Sequence, residues 1–97
     1  MPTYIILNQW TQQGLQTIKD APARLDAAKK AAQAMGGEIK AFYLVMGQYD
    51  FVVIAEAPND EAVAKLLLAV GAQGNFRTET LKAFTEDEYR KIVASMP

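Results

Sequence analysis

The residues best suited to chemistry follow one another at Gly47-Gln48-Tyr49-Asp50: a glycine, an amide, a phenol and a carboxylate. Strand-forming runs flank them, so the stretch reads as a hairpin connection, and loops held between paired strands are where functional groups tend to sit. Glycine permits close backbone approach. Tyr49 and Asp50 would then supply polar contacts to a ligand or a neighbouring subunit. The plainer alternative is turn chemistry, with Gly47 at positive φ and Asp50 bonding nearby amides. Turn requirements do not account for a tyrosine beside the aspartate.

The chain contains no histidine and no cysteine. That closes Ser-His-Asp and Cys-His catalysis, disulfides and zinc-thiolate sites. No metal site and no cofactor is expected. Carboxylates, lysines and tyrosines remain for acid–base work. Glu56, beside apolar strand residues, is one such candidate, although pairing with a Lys or Arg is the simpler expectation. Trp10 and Tyr43, with Tyr4, are candidates to line a pocket or an interface, and Asn8, Thr11 and Gln12 are near enough in sequence to add polar groups. Arg24 falls in the first turn of a helix, an unfavourable place for a cation. A partner in Asp20 or Asp50, a bound anion or plain solvation would each explain it.

These residues need a scaffold, and 97 residues make a single domain, 1–97, of modest buried fraction. Ten basic and 11 acidic residues leave a net charge of −1, with neither sign in a block. No nucleic-acid or membrane-surface partner is expected. No apolar run approaches membrane-spanning length and no basic leader precedes one, so a cytoplasmic protein is the expectation.

Residues 3 to 10 form a strand candidate whose two faces, Tyr4-Ile6-Asn8-Trp10 and Ile5-Leu7-Gln9, both carry large apolar groups. A short helical turn follows around Leu15 and Ile18. A helix then runs from Asp20 to Met35, with Asp20 as cap, Pro22 in the first turn and Gly36-Gly37 at its end. Glu38 to Met46 and Phe51 to Ala57 are strands on either side of the turn. Alternation on the first of these puts Ile39, Ala41, Tyr43 and Val45 on one face. Asn59 caps a helix to about Ala72, Phe76 to Phe84 is the fourth strand, and Thr85 with Glu88 fits a capping box for a last helix.

The order β-α-β-β-α-β plus a C-terminal helix is an α+β, ferredoxin-like pattern with two helices on one face of an antiparallel sheet. The other face would expose Tyr4, Ile6, Trp10, Tyr43 and Val45, or their neighbours of opposite parity. One aromatic buries roughly 150–250 Å², so several together exceed the roughly 300–600 Å² patch a monomer tolerates. A homo-oligomer, dimer or higher, packed through the sheet is expected. The alternative is that the last helix folds back over that face.

The chain resembles the GYD-domain proteins. The matching pieces are Trp10-Thr11 with Gly14, Pro22 with Arg24, Gly36-Gly37, Gly47-Gln48-Tyr49-Asp50, Glu56-Ala57-Pro58 and Gly74 to Leu81. The resemblance implies a ferredoxin-like domain of the dimeric α/β-barrel type, and it speaks to fold more than to function. Gly47-x-Tyr49-Asp50, Glu56-Ala57-Pro58 and Arg77-Thr78-Glu79-Thr80 are also similar to the effector-binding domain of the Lrp/AsnC regulators. That similarity implies oligomerisation through the sheet, a small-molecule ligand near the glycine-bearing turn, and hydroxyl contacts from Thr78 and Thr80. The regulators' DNA-binding helix-turn-helix has no counterpart here.

The expected function is an oligomeric module binding a small molecule or a partner at a subunit interface near Gly47–Asp50. Trp10, Arg24, Tyr43, Tyr49, Asp50, Thr78 and Thr80 are its candidate ligand-binding or interface residues. The alternative is a cofactor-free isomerase or oxygenase using tyrosine and carboxylate groups.

Overall fold

A computed structural model describes residues 1–97. The elements are β1 (Thr3–Trp10), α1 (Gln12–Gln16), a 3-10 turn (Ile18–Asp20), α2 (Ala21–Ala34), β2 (Glu38–Leu44), β3 (Phe51–Glu56), α3 (Asp60–Gly71), β4 (Phe76–Ala83) and α4 (Glu86–Ala94). The strands form one antiparallel sheet in the order β2-β3-β1-β4. This is the ferredoxin-like arrangement, with the least charged strands central and the charged ones at the edges.

Local chemistry sets the element ends. Asn59 accepts from the Ala62 amide and opens α3, while Thr85 and Glu88 close a reciprocal capping box on α4. Asp20 occupies the N-cap position of α2 but its side chain makes no capping bond; the 3-10 turn leads directly into α2. Gly14 sits so close to the entrance of β4 that a Cβ there would overlap the carbonyl oxygen of Asn75. Thr11 ties the same junction, its amide donating to Asn75 O at 3.1 Å and its hydroxyl to Gly74 O at 2.6 Å.

α2 and α3 cover one face of the sheet. Beneath them Tyr4, Ile6, Phe51, Val53, Ala55 and Ala57 form the buried core, joined by Val63 from α3 itself. Phe51 is its aromatic hub, 5.0 Å from Trp10, 5.3 Å from Phe42 and 5.6 Å from Phe76 between ring centroids. The Tyr4 hydroxyl leaves this core to donate to Asp60 in the first turn of α3, and Lys82 pairs with Asp60 at 3.2 Å.

The opposite face is uncovered. It carries Ile5, Leu7, Val52 and Ile54, all half-buried, and the exposed Tyr43 and Leu81. On β1 the exposed set is therefore the Ile5-Leu7 parity; Tyr4, Ile6 and Trp10 lie under the helices. Simple alternation also fails on β2. A register irregularity between Ile39 and Ala41 turns both Ile39 and Phe42 toward the helices, whereas alternation separates them.

α4 does not fold back over the open face. It has no buried residue, and its apolar side, Tyr89, Ile92, Val93 and Met96, is exposed. The extents, 52 × 31 × 18 Å, and a radius of gyration of 14.7 Å reflect this projection; a closed domain of 100 residues has about 13 Å. No helix is long and apolar enough to cross a membrane.

Candidate functional site

The β2–β3 connection is held at its base by the Val45 amide on Asp50 O at 2.9 Å. Gly47 takes φ +154°, which a side chain disfavours, and nothing crowds it. Asp50 closes the end of the sheet. Its amide donates to Asn8 O at 2.8 Å, and its carboxylate accepts from the Trp10 amide at 2.9 Å. Pairing between β1 and β3 ends at Asn8 and Phe51, so the Asp50 carboxylate takes over as acceptor one step beyond the ladder.

Tyr49 does something different. Its hydroxyl donates to the carboxylate of Glu79 on β4. β1 lies between the two, and Glu79 pairs with Leu7, so the phenol reaches over β1 on the open face. Gln9, on the same face, donates to Gln48 O at 2.7 Å and fastens the loop beside it.

Arg24 pairs with neither Asp20 nor Asp50. Its guanidinium donates to Thr17 O at 3.2 Å, Thr17 Oγ1 at 3.1 Å and Gly14 O at 3.5 Å, which are acceptors at the C-terminal end of α1. Thr78 and Thr80 lie on the helix side of β4, opposite Asn8 and Ile6. The Thr80 hydroxyl is buried without a hydrogen-bond partner. Tyr43 stands on edge strand β2, exposed on the open face.

One end of the sheet therefore gathers Trp10, Arg24, Gly47, Tyr49 and Asp50. They divide between its faces: Tyr49 joins Tyr43 on the open side, while Trp10, Arg24, Thr78 and Thr80 belong to the helix side. On that side α2 and α3 splay apart over a cleft of about 370 Å³. Phe42, Phe51 and Phe76 form its floor, Leu25 and Ala28 one wall, and Leu66, Leu67 and Val70 the other.

Sequence reasoning missed Glu79 as the partner of Tyr49 and Asp60 as the partner of Tyr4. The alternation of Arg77-Thr78-Glu79-Thr80 was a signal for the first, because it puts Glu79 on the face opposite the threonines. Glu56 is ion-paired, with Lys40 Nζ at 3.8 Å.

The electrostatics bear on catalysis. Burial, and then the Asp60 carboxylate, push the Tyr4 phenol up to about 12. The hydrogen bond to Glu79 raises Tyr49. Tyr4 and Lys82 hold Asp60 below its ordinary value, and the Thr85 amide does the same for Glu88. All four move away from neutrality, so none of them is poised for proton transfer near pH 7. Nowhere do three acidic or metal-ligating side chains converge as a metal site.

An antiparallel ferredoxin-like sheet with helices on one face, an apolar opposite face and a glycine-tyrosine-aspartate loop at its end defines a class of small α+β domains. The chain belongs to the GYD-domain family, which matches residues 4–93. It is 34% identical over 84 residues to a glutamine synthetase and cystathionine beta-lyase binding protein of Thermus thermophilus, covering 86% of this chain and 88% of that one. Its fold is similar to that of a feast or famine regulatory protein from Mycobacterium tuberculosis complexed with L-methionine, with 21% identity, a TM-score of 0.63, and coverage of 90% of this chain and 54% of that one. The structure of FFRP-DM1 is also similar, with 21% identity, a TM-score of 0.60, and coverage of 87% and 100%. The chain thus spans about half the length of the mycobacterial regulator. At these identities the likeness to the regulators is one of fold.

Proposed function

We propose that this protein is an oligomeric binding module whose subunits pack through their open sheet faces and present the Gly47–Asp50 loop to a partner protein at the edge of that interface. The uncovered face carries the proposal. Ile5, Leu7, Val52 and Ile54 at its centre, with Tyr43 and Leu81 outside them, form an apolar surface larger than isolated exposed residues would make. α4 leaves this face open and presents a second apolar side of its own. Tyr49 reaches onto the same face from the loop to meet Glu79, which lies beside Leu7 on edge strand β4 and adds a polar contact next to the apolar centre.

The relative of Thermus thermophilus, matched over nearly its full length, is a binding protein for two enzymes. That favours a protein partner, and glutamine synthetase is the first to test. Tyr4 and Tyr49 are shifted upward and Asp60 and Glu88 downward, in each case further from pH 7, so these four groups lend no support to the alternative of tyrosine or carboxylate acid–base catalysis.

The test combines light scattering with surface plasmon resonance. The wild-type chain should scatter as a dimer or larger assembly and bind immobilised glutamine synthetase. Ile54→Glu, at the centre of the open face, should yield a folded monomer. Tyr49→Ala should remain assembled and bind the enzyme at least tenfold more weakly. A monomeric wild type, or an Ile54→Glu chain that still assembles, would remove the basis of this reading.

A further inference from the structure

The cleft between α2 and α3 lies on the other side of the sheet from the proposed interface, and its lining has an unusual composition. Seventeen residues border it, 15 of them hydrophobic, and Arg24 alone is charged. Arg24 makes no ion pair; every acceptor it meets is a neutral oxygen of Gly14 or Thr17. Those contacts fix the guanidinium without neutralising it, and leave N–H groups of the five-donor fork free. An anchored, uncompensated cation on the lining of an otherwise apolar cleft is complementary to one kind of molecule: an apolar body ending in a single carboxylate.

The volume suits such a guest. About 370 Å³ lies within the range of small-molecule sites. Walls of Leu66, Leu67, Phe42 and Phe51 offer no polar partner to water, so displacing it by a hydrocarbon chain is favourable.

We propose that this cleft binds a medium-chain alkyl carboxylate, with the acid group on the Arg24 guanidinium and the chain lying over Trp10 and Phe51. The carboxylate forms a charge-assisted contact with the fork, while the chain takes the place of the contacts missing between α2 and α3. The partner-binding reading does not depend on it, because the interface is on the opposite face.

Trp10 is the only tryptophan and borders the cleft, so its fluorescence reports occupancy directly. The protein would be titrated with hexanoate, octanoate and decanoate below their micellar concentrations, and with decanol as the uncharged control. Saturable binding at one molecule per chain is expected, tightening about fourfold for each added methylene. Decanoate should bind about tenfold more tightly than decanol. Arg24→Met should erase that tenfold difference and leave decanol affinity unchanged, and Leu67→Trp, filling the cleft, should abolish both. Because Leu67→Trp also places a new indole in the cleft, its binding is read by calorimetry. Non-saturable uptake, no preference for the acid, or an Arg24→Met chain that keeps the preference would overturn the assignment. Ile54→Glu should bind decanoate as the wild type does, so failure of the interface leaves this result standing.

Discussion

The Tyr49 hydroxyl donates to the Glu79 carboxylate across the full width of β1. This contact joins the β2–β3 loop to the far edge strand, on the face the helices leave open. The carboxylate stabilises the neutral phenol, which is why Tyr49 titrates above the ordinary 10.0. In Glu79→Gln the amide no longer carries the charge, and Tyr49 should ionise closer to 10.0. Spectrophotometric titration of the tyrosines, compared with Tyr49→Phe to identify the transition, measures the change. An unaltered transition in Glu79→Gln would mean that the two side chains do not meet in solution.

Tyr4 makes the analogous contact beneath the helices, with opposite consequences for its two partners. The phenol is raised to about 12 and Asp60 is lowered. A folded-state value above that of the unfolded chain makes the native state hold its proton longer. The Tyr4 contribution is therefore complete below pH 10 and is lost as the pH rises from 10 toward 12. For Asp60 the sign reverses: its contribution is complete above the unfolded value of 3.8 and is lost as the pH falls through the lowered native one. Tyr4→Phe should cost about 1 kcal/mol at neutral pH, and its stability should fall less steeply above pH 10. Urea denaturation at pH 7, 9 and 11 tests both statements.

Much of this architecture is legible in the chain itself, because strand alternation, the Asn59 and Thr85 caps and the glycine terminators are local signals. What was not legible depends on pairing at a distance. β1 is apolar on both faces, so its pattern alone cannot choose whether Tyr4 and Ile6 or Ile5 and Leu7 meet the helices. In the fold Tyr4 and Ile6 pack with Phe51, Val53 and Val63, and Tyr4 reaches Asp60, 56 residues away. The irregularity between Ile39 and Ala41 has no glycine or proline to announce it. At the site, the loop suggests that the Asp50 carboxylate accepts from nearby amides; its acceptor role is instead for the Trp10 amide on β1, which requires the register of β1 against β3. Arg24 was singled out by its unfavourable helix position. The explanation lies in the carbonyls at the end of α1, a short helical turn that the sequence signals without showing that its C-terminal end faces the start of α2.

Two glycines should answer the same substitution in opposite ways. Gly14 is buried against Asn75, whose backbone oxygen occupies the space of a Cβ. Gly14→Ala must push α1 away from the entrance of β4 and should cost about 3 kcal/mol. Gly71 ends α3 with open space where its Cβ would lie and no positive φ. Gly71→Ala should stabilise by about 0.5 kcal/mol through reduced freedom of the unfolded chain. Chemical denaturation of the two variants beside the wild type gives both signs, and equal effects would contradict the close approach at Gly14.

The last helix offers a test of where its stability comes from. α4 begins with a complete capping box and has no buried residue, so in an isolated chain it stands on local interactions. Removing the Thr85 hydroxyl loses the bond to the Glu88 amide, 3.2 Å long, at about 1 kcal/mol. In an isolated subunit, Thr85→Ala should reduce helical circular dichroism by the equivalent of α4 while leaving the main unfolding transition where it was. Acid should act in the same direction, because Glu88 is held below 4.5 by the Thr85 amide, and that support is lost as the pH falls through the lowered value. In an assembly where Tyr89, Ile92, Val93 and Met96 rest on a second subunit, the result differs. Thr85→Ala should then weaken association, raising the dimer dissociation constant about 25-fold, or about fivefold for each of the two α4 helices. Measuring helicity and association over one dilution series separates the two cases, and an unchanged dissociation constant would place α4 outside the interface.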